Sequence, residues 1–370
     1  MKTFVTGASG YIGTLLAPFL LERGHDVAGL DTGYYRDGWL YRASDNRSPS
    51  IINKDIRTID AEDLDGIEAV VHLAELSNDP LGQHDPRVTY AVNHAATVAL
   101  ARLCKARGIK RFVYTSSCSV YGAGYDDWKT EESATNPQTA YAECKVRVER
   151  DLAAMADDDF SPTFLRNATA YGPSPSMRFD LVLNNLAGLA WTTKVIKMTS
   201  DGTPWRPLVH VLDICQAIAC ALEAPREMVH RQVFNVGETS ANYRIREIAE
   251  TVAEAFPGCA VTFGELGGDT RSYRVSFDKI HQYFPKFSCR WNAKRGALQL
   301  AQLFRHIDLG PESFDHRAYT RLKQLEHLLR TSQIDADFFW RDVAMSGLIE
   351  GPVGNPVGDP VDGKMMEQRS

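Results

Sequence analysis

Thr6-Gly7-Ala8-Ser9-Gly10-Tyr11-Ile12-Gly13 sets three glycines at the spacing G-x-x-G-x-x-G, between an apolar run at Lys2–Thr6 and a helical pattern over 11–23. This turn constrains the fold more than any other feature of the chain. Glycines let the backbone come close to a pyrophosphate, and the helix that follows presents free N–H groups and the positive end of its dipole. The flanking strand and helix distinguish such a turn from an ordinary tight turn. The expectation is a dinucleotide-binding unit whose turn is formed by Gly7, Ser9, Gly10, Tyr11, Ile12 and Gly13.

The rest of the first half agrees. Strands are expected at 25–31, 50–53, 69–74, 111–116 and 163–166, with helices over 91–107 and 141–155. Alternation of this kind predicts an α/β fold, a doubly wound parallel sheet covered by helices on both faces. Past residue 166 the pattern shifts to helices at 179–190, 213–223 and 245–256 and short strands at 195–198, 234–236 and 260–263, which suits a smaller α/β substrate-binding lobe. The expected organisation is 1–165 for the dinucleotide domain, with some later segments returning to it, then 166–310 for most of the lobe. Residues 311–346 then form extra C-terminal helices and 347–370 a flexible tail. The stripe Leu322, Leu325, Leu328, Leu329 reads as core or an oligomer contact.

The net charge of −6 gives no global basic field for nucleic acid or anionic lipid. No apolar run reaches the eighteen or so residues of a spanning helix, and the N-terminus lacks the pattern of a leader peptide. The 7 cysteines form no Cys-x-x-Cys pair, so a reduced, cytoplasmic chain is expected. No histidine spacing suggests a metal site, and His72 on an apolar strand reads as a satisfied core residue.

Asp31 ends the second strand, 18 residues after Gly13. An acid there accepts hydrogen bonds from ribose hydroxyls and repels a 2′-phosphate, which favours NAD over NADP, although Arg36 lies nearby. Asp55 and Ile56 follow the third strand and either border the adenine or form a plain strand end. Tyr141 and Lys145, at i and i+4, share a helix face. A free tyrosine, with a pKa near 10, is a poor base at neutral pH, and a neighbouring ammonium favours its phenolate. Ser117 follows the strand at 111–116, in a hydroxyl-rich turn where its hydroxyl can bond a substrate oxygen.

Together, the glycine turn, Asp31, Asp55-Ile56, His72-Leu73-Ala74, Asn93, Ser116-Ser117, Tyr141/Lys145 and Arg166-Asn167 through Tyr171-Gly172-Pro173 resemble the extended short-chain dehydrogenase/reductase superfamily, in its nucleotide-sugar epimerase/dehydratase branch. The resemblance covers roughly residues 1–300 and implies a Rossmann-type sheet. By it, Tyr141 is the general base or acid, Lys145 lowers its pKa and holds the nicotinamide ribose, and Ser117 assists at the substrate hydroxyl. Leu73, Ala74 and Ser116 line the cofactor, and Asn93 supports the strand beneath it. Asn167, Asn185, Leu186 and Arg206 fall where relatives bind the nucleotide diphosphate, and Arg271 is a second arginine candidate. Glu75, Ser77 and Cys118 complete the expected substrate contacts.

The resemblance implies hydride transfer from a sugar carbon to NAD. Relatives that remove water carry an Asp-Glu pair where this chain has Cys118-Ser119, so epimerisation of a nucleoside-diphosphate sugar with recycled NAD is expected. A nucleotide-sugar dehydrogenase, reductase or dehydratase is the alternative. Cys118 is either an acid–base group or an inert core thiol, and Glu75 either a sugar ligand or acid or a solvated loop carboxylate. Helices 91–107 and 141–155 correspond to those that form a four-helix dimer interface in relatives, which implies a homodimer.

Overall fold

The computed structural model describes residues 1–42, 49–77, 86–123, 127–265 and 272–341; Arg271 and the expected tail at 347–370 lie outside the described residues. Its centre is a parallel sheet of seven strands: β1 (Lys2–Thr6), β2 (Asp26–Asp31), β3 (Ser50–Asn53), β4 (Ala69–His72), β5 (Arg111–Ser117), β6 (Ser161–Asn167) and β9 (Val233–Val236). Their spatial order is β9-β6-β5-β4-β1-β2-β3. The chain runs outward from β1 to β3 and then returns to the other side of β1 with β4. That reversal opens a crevice at the carboxyl ends of β1 and β4, where ligands bind in such sheets.

Buried Val5, Val71, Val113 and Leu165 alternate with Phe4, Val70, Phe112 and Phe164, because both sheet faces are covered. One face meets α1 (Gly13–Glu22) and α5 (Val211–Glu223) through Leu16, Leu20, Ile214 and Ile218. The other meets α2 (Thr97–Ala106) and α3 (Ala140–Met155) through Leu100, Cys104, Val148 and Leu152. The expected helix over 91–107 begins as a wider π-helical stretch at Tyr90–Ala96, which carries buried Asn93.

The smaller lobe contains α4 (Val182–Thr192), α6 (Ile245–Ala255), α7 (Ala293–His306) and a sheet of β7 (Thr169–Tyr171), β8 (Trp205–His210) and β10 (Asn242–Arg244). Four of these elements, α7, β7, β8 and β10, were not expected. Pro207 obscures β8, where it sits opposite Asn242. Gly296 interrupts the helical signal of α7; a Cβ there would lie 2.3 Å from the Tyr171 ring, so the glycine makes room for that side chain. Helix α5 and strand β9 return to the central sheet.

The C-terminal segment folds back onto the first half. Helix α8 (Arg321–Arg330) buries Leu325 and Leu328 with Leu30, Tyr34 and Ile56. Gln324 Nε2 donates to the Tyr34 carbonyl (2.9 Å) and Trp340 Nε1 to the Thr32 carbonyl (2.7 Å). The leucine stripe is therefore core. No helix among the described residues is long and apolar enough to cross a membrane.

Candidate active site

A cavity of about 530 Å³ lies at the carboxyl ends of the sheet and runs into the smaller lobe, a size that encloses organic ligands. The glycine turn forms one wall. Gly7 has a φ of +72°, and a Cβ there would sit 2.9 Å from the Ala74 nitrogen. A Cβ on Gly13 would lie 2.2 Å from the Gly7 carbonyl oxygen. Larger residues would fill the cradle from below, so this turn keeps the space a pyrophosphate needs. Gly13→Ala is expected to lower stability by about 2 kcal/mol or more, since rigid backbone must move. Thermal unfolding measures this, and an unchanged melting temperature would contradict the geometry.

Asp31 lines the cavity with its carboxylate accepting from the Ser9 N–H (3.0 Å) and the Gly33 N–H (2.7 Å). Burial pushes its carboxyl up, and the two N–H bonds pull it partly back. Ser9 thus acts through its backbone on Asp31. Asp55 and Ile56 line the same end, with Asp55 paired to Arg57 at 2.7 Å. Leu73 and Ala74 line the crevice, and their N–H groups donate to Thr6 Oγ1 at 3.2 Å each. Asn93 braces this loop from behind: its side chain accepts from the Leu76 N–H (2.8 Å) and donates to the Leu76 carbonyl (3.1 Å). His72 is a core residue bonded to Thr6 (2.7 Å) and Thr97 (2.8 Å), with burial pulling its pKa down to about 3.

Tyr141 and Lys145 project from α3, which Thr139 caps by accepting from the Ala142 N–H at 3.2 Å. Lys145 Nζ lies 5.3 Å from the Tyr141 ring centroid and donates to the Thr115 carbonyl. It also pairs with Glu75 Oε2 at 2.5 Å, and both side chains are almost fully buried. The Tyr114 hydroxyl donates to Glu75 Oε1 at 2.7 Å. Burial pushes the Glu75 carboxyl up. Burial is the largest single influence on the Lys145 ammonium and disfavours it, but Glu75, Tyr141 and Cys144 together outweigh it and hold that ammonium above its usual range. The solvated-loop reading of Glu75 is corrected: the residue is a buried partner of the lysine beside Tyr141.

Ser117 lines the cavity, and its hydroxyl oxygen accepts from the Ser119 N–H (3.1 Å), which leaves its own proton to donate. The Ser116 hydroxyl is turned to Glu149 at 2.5 Å. Asn167, Arg206 and Ser77 also line the cavity. Among the described residues, buried Asn167 Oδ1 meets no hydrogen-bond partner. Ser119, not singled out from the sequence, lines the cavity with a buried hydroxyl equally unpartnered. Two more groups escaped the sequence reading. Arg178 donates to the Ser77 hydroxyl (3.0 Å) and forms a two-point pair with Asp180 (2.9 Å each). Tyr273 lies under the Arg206 guanidinium at 5.7 Å. The opposite charges two residues apart at Arg178 and Asp180, just before an apolar helix, were the one available sign.

Three expected substrate contacts are absent from the cavity wall. Cys118 is buried with Sγ donating to the Arg166 carbonyl at 3.1 Å, and burial pushes its thiol well up; it is an inert core thiol. Leu186 packs in the lobe core, and Asn185 sits on α4 outside the lining. The neighbouring Asn184 is a strut whose side chain joins Gly172, Tyr11 and Arg178.

Residues 3–237 match the NAD dependent epimerase/dehydratase family. A UDP-glucose 4-epimerase of Corynebacterium glutamicum is 29% identical over 299 residues, which cover 76% of this chain and 89% of that protein. One from Mycolicibacterium smegmatis is 31% identical over 69% of this chain and 82% of its own length. Among solved structures, MoeE5 in complex with UDP-glucuronic acid and NAD superposes with a TM-score of 0.69 at 27% identity, over 82% of this chain and 99% of that one.

Proposed function

This chain belongs to the NAD-dependent epimerase/dehydratase family, and from that membership we propose that it epimerises a nucleoside-diphosphate sugar with NAD as a recycled cofactor. One observation carries the reading: Tyr141, Lys145 and Ser117 line the same cavity as the glycine turn and Asp31. The relatives' names support a UDP-hexose and inversion at C4. The glycine cradle and the Asp31 carboxylate fit NAD. When bound, NAD supplies a reversible hydride acceptor for the sugar carbon.

The side chains supply the proton chemistry. Tyr141 removes the proton from the sugar hydroxyl and returns it after the ring has turned over. Lys145 favours the phenolate form of Tyr141, and Glu75 keeps Lys145 charged. Ser117 donates its proton to the same sugar oxygen, holding it in line with Tyr141. The unpartnered Asn167 Oδ1 accepts from a substrate hydroxyl, and the unpartnered Ser119 hydroxyl donates to a sugar or phosphate oxygen. Arg206 is placed for the nucleotide diphosphate, for which its fork suits the geometry. Arg206→Gln is expected to weaken nucleotide-sugar binding about ten- to hundred-fold with dinucleotide binding unchanged, as read by calorimetric titration.

The test of the function is to incubate the purified protein with UDP-, GDP- and dTDP-sugars and follow each by NMR and mass spectrometry. The reading requires a stereoisomer of equal mass and no accumulating NADH. A product lighter by one water, or stoichiometric NADH, would replace epimerisation with dehydration or net oxidation. By the same family likeness we infer a homodimer through the helices at 90–106 and α3, measurable by light scattering. A cytoplasmic setting is supported by the free state of all 7 cysteines.

A further inference from the structure

The C-terminal segment lies beyond the family match at residues 3–237, yet two of its side chains, Arg321 and Phe338, line the cavity. Arg321 opens α8 and is buried to 4% exposure. Its guanidinium stacks on Tyr35 at 3.9 Å, and Nη2 donates to the Ser176 hydroxyl at 3.2 Å. Among the described residues, its Nη1 meets no hydrogen-bond partner.

We propose that Arg321 binds the diphosphate of the dinucleotide, so that the C-terminal segment completes the cofactor site. The inference rests on the cofactor reading above. A buried cation with an unbonded nitrogen calls for an anion, since a guanidinium held from water is costly unless paired. The nearby carboxylates are engaged: Asp180 by both nitrogens of Arg178 at 2.9 Å, Asp31 by the N–H groups of Ser9 and Gly33. Burial and the neighbouring Arg178 charge pull the Arg321 pKa down to about 10, more than Tyr35, Asp180 and Asp31 offset. Position selects which anion. Tyr35, on which Arg321 stacks, follows Asp31, and the electrostatic neighbours of Tyr11 in the glycine turn include Arg321. Arg206, the arginine placed for the sugar nucleotide, instead lies with Tyr273. The same segment sets Phe338 beside Asp55 and Ile56, and the Tyr34 hydroxyl donates to the Phe338 carbonyl.

The experiment compares wild type with Arg321→Gln and Arg321→Lys. Affinities for adenosine, ADP, NAD and UDP are measured by ligand-observed NMR and calorimetry, alongside thermal unfolding of each protein. The expected result is an ADP and NAD affinity lower by about ten- to hundred-fold in Arg321→Gln, with partial recovery in Arg321→Lys. Adenosine and UDP binding should stay at the wild-type level. The ratio of ADP to adenosine affinity is independent of the folded fraction, so a merely unstable variant would not mimic this. Equal losses for adenosine and ADP, or no loss, would overturn the proposal. A selective loss of UDP would overturn it as well, by moving Arg321 to the sugar nucleotide. Failure of the cofactor reading looks different: wild type itself would bind neither ADP nor NAD.

Discussion

Tyr141→Phe is expected to lower kcat by about a thousand-fold or more while the protein keeps its fold and its dinucleotide. Positioned proton transfer contributes about 10²–10⁴ to a rate, and no neighbour can replace this phenol. Lys145 is occupied by Glu75 and the Thr115 carbonyl, and the Tyr114 hydroxyl is turned to Glu75. Ser117 has a proton to give and is no base at neutral pH. Phenylalanine keeps the ring on the α3 face, so the loss should fall on kcat with KM nearly constant, the mark of an interaction made in the transition state. Pre-steady-state measurement of NADH absorbance on mixing with substrate gives the step directly. A variant within tenfold of wild type would remove Tyr141 from the chemistry, whatever its place in the cavity.

The cofactor end of this cavity was legible because its constraints are local. Three glycines and an acid at a strand end are dictated by backbone approach and by a short chain path, and sequence spacing records both. The tyrosine and lysine were legible for the same reason, being one helical turn apart. The substrate end was less so. The wall made by Asn167, Arg178, Arg206 and Tyr273 comes from four separate segments, and only the tertiary fold shows which side chains face inward. Cys118 and Leu186 show the converse error: the motif spacing was right, but alternation about the strand end and the helix turn carries those side chains into the core. Arg321 had no sequence signal, because a guanidinium on a leucine-bearing helix looks like any solvated face until α8 is docked.

Glu75 carries the second large effect. Its carboxylate and the Lys145 ammonium are both nearly out of water, at 2.5 Å. Removing one member of such a pair leaves a buried uncompensated charge, so Glu75→Gln is expected to cost about 3–5 kcal/mol of stability at neutral pH. The sign of its pH dependence follows from Lys145. A lysine whose folded pKa lies above its usual 10.5 contributes stability that is complete below 10.5 and lost as the pH rises through the folded value. The deficit of Glu75→Gln should therefore shrink as the pH rises, first as the stranded lysine of the variant gives up its proton below 10.5 and then as wild type loses the pair's contribution above it. Catalysis should respond in the same direction. The groups acting on Lys145 are Glu75, Tyr141 and Cys144, which favour its charge, against burial, which opposes it. Without Glu75 burial prevails, and the lysine gives up its proton at a lower pH than in wild type. Tyr141 then loses the cation that favours its phenolate, so the alkaline limb of the kcat/KM profile should move to lower pH. A Lys145→Met change made on top of Glu75→Gln should cost far less stability than either change alone would suggest, because the stranded charge is gone. Additive costs, or an alkaline limb that stays in place, would reduce Glu75 to a packing residue.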